Sequence, residues 1–400
     1  MLSKIGASAA GLFLFAACSA GTSSSIPSAS NTGAVPMVAS SDSRIAIQGP
    51  GSDPALDALV VKFMIAQRVP NAQLAFSRAG TLRFSHAYTY RGLAESTTKP
   101  QTLMRMASVT KAWTNAAIYN LLKAHKIGWK TKVFSYLGIT QALPDGATPA
   151  PGVLGITLKQ MVDNTPGWTN DPSFTMRQTA LALKLHTHID QQQYVAYQLH
   201  VPLTYKPGTH YLYCNFCFDV LGMIVAKATL MPYIEYLRCS IAKPSGAGFI
   251  GISPTVGKRL PGEVARYYST QTGLSAFYPD ELKPVPAPYG GDGGVLEVAQ
   301  GDGGAATSAQ SMIAFMNRYT VGDLGPLPLP GESVGREGEI AGTSTVAEQL
   351  GNRTNYAFFI NTNQFPYKGA RNGSATSPSG PPTAFDIVVA KIAHQLCTSC

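Results

Sequence analysis

Apolar residues fall at helical spacing in some stretches of the chain and at strand spacing in others. Leu56, Leu59, Val60, Phe63 and Met64 follow Asp53, a capping residue, and Pro54, which suits a first turn, so a helix is predicted that ends near Pro70. Two strand-like runs come next, 72–78 and 81–88, and the Ala79-Gly80 pair between them makes a hairpin. From about 110 to 245 the pattern is mostly helical, including Phe216 to Ala228 and Tyr233 to Ala242. A second hairpin is predicted over 343–350 and 356–361, turning at Asn352-Arg353. A closing helix from Ala384 to Leu396 carries Phe385, Val388, Val389, Ile392 and Leu396 on one face.

The first hairpin needs sheet partners, and the second supplies them from the far end of the chain. The expected architecture is therefore α+β: an antiparallel sheet built from both ends, flanked by the terminal helices, with a mostly helical subdomain inserted over about 110–245. Residues 246–305 are rich in Gly and Pro, notably Gly290-Gly291-Asp292-Gly293-Gly294 and Gly301-Asp302-Gly303-Gly304, and read as loops that shape a cleft.

The amino terminus departs from this pattern. Lys4 precedes an apolar run, Ala9 to Ala17, that is too short to span a bilayer and reads as a secretion signal over 1–18. It closes on Phe15-Ala16-Ala17-Cys18-Ser19, which is similar to a bacterial lipobox and implies lipidation at Cys18. Ordinary signal cleavage near Ala20 is the alternative, and either route exports the protein to the periplasm or cell envelope. Residues 19–50, rich in Ser, Ala, Gly and Thr, are expected to be a flexible linker to a folded domain over 51–400.

Composition narrows the function classes. The 400 residues are 45% hydrophobic and 13% charged, an ordinary globular balance. The net charge of +9 is spread without a basic run interleaved with aromatics, so no nucleic-acid partner is expected. Export makes disulfides expected among Cys214, Cys217, Cys239, Cys397 and Cys400; Cys217 with Cys239 and Cys397 with Cys400 are two possible pairs. The two CxxC pairs lie about 180 residues apart, too far for a zinc ribbon, and neither metal nor cofactor is expected.

The candidate chemistry starts at Ser108-Val109-Thr110-Lys111. A serine three places before a lysine gains a local base only if a helix follows, because one face of a first turn then carries both. Apolar spacing over 112–123 predicts that helix, whereas Ser96-Thr97-Thr98-Lys99 and Ser240-Ile241-Ala242-Lys243 each run into a proline. Tyr213-Cys214-Asn215 precedes another predicted helix. A phenol held near a lysine can share its proton and later protonate a leaving group, and an asparagine amide can orient the lysine and a substrate carbonyl. Cys214 is discounted as a nucleophile because no histidine stands in a visible relation to it.

These residues resemble the serine β-lactamase and penicillin-binding protein group, in its class C-like branch with the family VIII esterases. Ser108 to Lys111 and Tyr213 to Phe216 carry the resemblance. It is supported by 102–107, by 156–161 leading to Asn164-Thr165-Pro166-Gly167, and by Tyr205-Lys206-Pro207-Gly208, and it spans roughly 54–395. It implies the β-lactamase/transpeptidase-like fold, an acyl-enzyme on Ser108, proton handling by Lys111 and Tyr213, and a third motif on a strand beside the site. The best match to that motif is Gly335-Arg336-Glu337-Gly338, a departure in which Arg336 keeps a positive charge and Glu337 could pair with it.

By the same resemblance the oxyanion donors would be the backbone amides of Ser108 and Glu339, and Trp168 would line the cleft. Carboxylesterase-like cleavage of a small ester or amide is the expected function. D-alanyl-D-alanine carboxypeptidase or β-lactamase activity is a near alternative, and a noncatalytic peptidoglycan-binding envelope lipoprotein is a distant one.

Overall fold

The computed structural model describes residues 35–364 and 382–398. The proposed signal and Cys18 lie outside the described residues.

A seven-stranded antiparallel sheet organises the fold. Its strands are β1 (Met37–Val38), β2 (Ile45–Gln48), β3 (Asn71–Arg78), β4 (Thr81–Tyr90), β5 (Val334–Ile340), β6 (Thr343–Leu350) and β7 (Thr354–Ile360), in the order β1-β2-β4-β3-β7-β6-β5. Both expected hairpins form. They join where β3 pairs with β7, as in Ala75 opposite Ala357, so the ends of the chain make one sheet. The tight turns use left-handed residues, Ala79 with Gly80 and then Arg353.

Strand periodicity sorts the two faces. Ala72, Leu74 and Phe76 of β3, with Tyr356, Phe358 and Ile360 of β7, pack under α1 (Pro54–Gln67) and the closing helix Ala384–Thr398. Phe63 and Phe385 both meet the Phe358 ring, and each such buried aromatic contributes about 2–3 kcal/mol of transfer free energy. The opposite face presents the small Ala75, Ala347 and Ala357, together with Phe359, to the core of the helical subdomain. Asp53 caps α1 through its side chain, which accepts from the Leu56 amide at 3.1 Å.

The linker prediction needs correction at its end. Residues 37–38 and 45–48 are strands at one edge of the sheet, with Ile45 and Ile47 buried and paired to Tyr90 and Tyr88 of β4. Four residues of alternation are too short to stand out among Ser and Ala, and only the exposed edge of β4 gives them a partner.

The subdomain contains α2 (Thr110–Lys123) and α3 (Asn215–Thr229), which pack side by side in its core, and helix Ala309–Met316 seals it against the sheet. The edge strand β5 lies against the short turn Ala107–Val109 that leads into α2.

Candidate active site

Ser108 stands in that turn, directly after a strained residue. Ala107 has φ of +48°, a left-handed conformation costing about 1–3 kcal/mol for a residue with a Cβ, and it aims the segment so that Ser108 and Lys111 share the first turn of α2. The segment is held firmly. Buried Arg105 donates to Ser253 Oγ at 2.8 Å, Pro288 O at 2.7 Å and Pro254 O at 2.9 Å, and the Thr345 hydroxyl donates to Met106 O at 2.7 Å.

Three side chains meet at the serine. Buried Lys111 Nζ lies 3.0 Å from Ser108 Oγ, the Tyr213 hydroxyl lies 2.9 Å from the same oxygen, and Lys111 Nζ sits 5.1 Å from the Tyr213 ring centre. A hydroxyl within hydrogen-bond reach of both an amine and a phenol has two groups able to take its proton.

Tyr213 is placed from behind by Asn164. The Leu212 amide donates to Asn164 O at 2.8 Å and the Cys214 amide to Asn164 Oδ1 at 3.1 Å, so one left-handed asparagine brackets the tyrosine on both sides. Asn215 opens α3 and spends its backbone N–H on the Asp171 carboxylate, which also accepts from Phe216 N at 3.3 Å. An anion at a helix amino terminus satisfies free amides and complements the dipole. The expected orientation of Lys111 by Asn215 is not what forms: Lys111 gives its second hydrogen bond to Asp302 O, at 2.9 Å.

Gly335-Arg336-Glu337-Gly338 lies on edge strand β5, against the turn that holds Ser108. A Cβ on Gly338 would fall 2.4 Å from Met106 O and 2.9 Å from Ser108 N, so the bare backbone there lets β5 approach the Ser108 amide. Glu339 follows it in register with Ser344. Arg336 donates from Nε to Val321 O at 2.9 Å and from Nη2 to Gly322 O at 3.0 Å, and burial pushes its guanidinium down from the usual range. Its carboxylate neighbour is Asp323 at 3.9 Å rather than Glu337, because adjacent strand residues point to opposite faces.

Two further expectations are corrected. Trp168 does not line the cleft: it is 3% exposed, stacks edge-on against Phe134 and Phe216, and donates its indole N–H to Val201 O at 3.0 Å. Cys217 bonds to Cys214 instead of Cys239, the first turn of α3 having brought positions 214 and 217 to 5.2 Å between Cα atoms; Cys397 is a free, exposed thiol. Cys239 is also disulfide-bonded.

Comparison with known proteins adds the family. Residues 56–382 match the family model described as Beta-lactamase. The chain belongs to the beta-lactamase family. It thus has the β-lactamase/transpeptidase-like fold. Protein flp of Staphylococcus aureus (strain NCTC 8325 / PS 47) is 24% identical over 194 residues, covering 47% of this chain and 36% of that protein. The "Putative D-alanyl-D-alanine carboxypeptidase" of Escherichia coli K12 is 26% identical over 165 residues, covering 41% of this chain and 37% of that one. The matched span is thus little more than a third of the length of either relative. The octameric penicillin-binding protein homologue from Pyrococcus abyssi has the same fold, with a TM-score of 0.58 at 16% identity over 85% of this chain and 77% of that one.

Sequence reasoning passed over three acidic residues here. Asp171 was hidden in a loop 44 positions before the amide it caps. Asp219 and Asp302 lie within a helix and a glycine-rich loop, and only folding sets them beside Lys111. The one available signal was that both acids fall in otherwise apolar or glycine-rich surroundings.

Proposed function

We propose that this protein is an exported serine hydrolase that cleaves small ester or amide bonds through an acyl-Ser108 intermediate, with carboxylesterase-like substrates first. The observation that carries the reading is the convergence of Lys111 and Tyr213 on one oxygen, at 3.0 and 2.9 Å. Ser108 Oγ attacks the carbonyl carbon as its proton passes to the Lys111–Tyr213 pair. The tetrahedral intermediate then collapses, the bond to the leaving alcohol or amine breaks, and Tyr213 returns the proton to that group. Water, deprotonated by the same pair, releases the acid and restores Ser108. The amides of Ser108 and Glu339 stabilise the oxyanion, a role supported by the close approach at Gly338.

The ester preference rests on Arg336. Its guanidinium is committed to two backbone carbonyls and stands near Asp323, so it offers little free charge to a substrate carboxylate of the kind a D-alanyl peptide or β-lactam presents. The peptidase reading remains the second one, favoured by the name of the Escherichia coli relative. Export rests on the amino-terminal apolar run and on the Cys214–Cys217 disulfide, which suits an oxidising compartment. Lipid anchoring rests on the Cys18 sequence alone.

The test compares wild type with Ser108→Ala on a p-nitrophenyl ester and a D-alanyl peptide. Turnover of the ester that disappears in the variant is expected. Undiminished turnover overturns the nucleophile, and binding of cell-wall peptide with no covalent adduct at Ser108 would favour the noncatalytic reading.

A further inference from the structure

Behind Lys111, on the side away from Ser108, lies a pair of buried carboxyl groups that the mechanism above does not use. Asp302, in the Gly301-Asp302-Gly303-Gly304 loop, places Oδ2 3.8 Å from Lys111 Nζ while its carbonyl accepts from the same nitrogen at 2.9 Å. Asp219 sits one turn into α3 at 1% exposure, and accepts from Gly301 N at 3.3 Å. The two carboxyls hydrogen-bond to one another. Apart from that bond, Asp219 Oδ2 and Asp302 Oδ1 are buried without a partner. Two carboxylates cannot share such a bond while both are ionised, so one proton lies between them.

We propose that Asp302, backed by Asp219, is a positioning residue for Lys111 that holds Lys111 Nζ beside Ser108 Oγ. The inference rests on Ser108 being the nucleophile. The loop that carries Asp302 is pressed against α3 by glycine: a Cβ on Gly301 would lie 2.1 Å from Phe218 O, so the carboxylate cannot easily retreat from Lys111.

The charges that surround Lys111 agree with this assignment. From α3 and the loop before it come Asp219 and Tyr213; from the glycine-rich loop comes Asp302; Asp171, at the amino end of α3, acts on both acids from further off; and Arg336 on β5 faces Tyr213 rather than Lys111. Tyr233 and Tyr194, also near these acids, have phenols that burial pushes up and keeps neutral. Burial raises the carboxyls of both Asp219 and Asp302, and Asp219 goes well above the usual carboxylate range. Lys111 and the bond from Asp219 oppose the rise at Asp302, so Asp302 ionises first and the pair carries one negative charge toward Lys111 Nζ.

The experiment measures the rate at which a fluorophosphonate labels Ser108 as a function of pH. Labelling forms the Oγ–P bond, expels fluoride and needs no proton for the leaving group, so it reads activation of the serine alone. Wild type that is not labelled at Ser108 refutes the proposed function, not this inference. With labelling established, Asp302→Asn removes the anion and should move the alkaline limb of the profile down by about one to three pH units, the range expected for an opposite charge at this distance. Asp219→Leu, which takes away the donor that keeps Asp302 ionised, should move the same limb the same way. Asp219→Asn, which can still donate, should restore the wild-type profile. Thermal unfolding identifies variants that retain the fold, and if Asp302→Asn does not fold, the contrast between the two Asp219 variants decides. An alkaline limb that stays in place in the folded variants, or a shift confined to the acid limb, overturns the inference.

Discussion

The α-carbon of Gly338 lies so close to the amide of Ser108 that a methyl group on it would sit 2.9 Å from that nitrogen, 2.4 Å from Met106 O and 2.6 Å from Thr345 Oγ1. Two of these neighbours are backbone atoms on the other side of the cleft and cannot rotate away. The spacing between the edge strand and Ser108 is therefore set by the absence of a side chain at one position.

Gly338→Ala should force β5 away from the Ser108 turn. Overpacking of this kind costs about 1–3 kcal/mol, and a displacement near 1 Å at the proposed oxyanion donors costs about 100-fold in rate. Gly335→Ala is the control, since the new methyl would meet the Glu348 side chain rather than the Ser108 turn. Ester turnover and thermal unfolding of the two variants check this, and equal activity in both would remove Gly338 from the argument.

Asp171→Ala strips α3 of the carboxylate that accepts from Asn215 and Phe216. Loss of such a cap costs about 1–2 kcal/mol, and because Tyr213 lies just before the first turn, turnover should fall along with stability. Asp171→Asn, still able to accept one bond, should fall between. Denaturant unfolding and ester kinetics on the same samples measure both effects.

Asp292 gives a pH dependence with a definite sign. Burial raises its carboxyl from 3.8 to about 6 in the folded chain. Between those values the native state holds the proton and the unfolded state does not, so the group's contribution to stability is present below about pH 4 and is lost as pH rises to about 6. The full loss is at most about 3 kcal/mol, and less where solvent reaches the carboxyl. Asp292→Asn should match wild type in acid and exceed it above pH 6, because the amide oxygen can still accept from Gly294 N, now 3.1 Å from Asp292 Oδ1. Unfolding free energies at about pH 4 and pH 8 test this, and a variant no more stable than wild type at the higher pH would contradict it.

Much of the fold was legible because its signals are local. Asp53-Pro54 caps a helix wherever it occurs, strand alternation sorts Leu74 from Ala75 without reference to anything distant, and Ser108 with Lys111 needed only the helix written after them. Tyr213 was readable as a motif, although its distance from Ser108 was not. The strand Ile45–Gln48 was missed because a short run becomes a strand only when a neighbouring edge pairs with it. Trp168 was misplaced because a large aromatic reads alike in a cleft and in a core.

By itself the sequence determined the pairing of Ser108 with Lys111 on one helical turn, most of the helices, both hairpins, and the family. Only the tertiary structure decided that Asp302 and Asp219 stand behind Lys111, that Asp171 caps the helix after Tyr213, that Arg336 spends its donors on Val321 and Gly322, and that Cys214 bonds to Cys217. Local spacing specifies which residues share a turn or a face, but the partners of a buried amine are brought beside it through space, from positions up to 191 residues away along the chain.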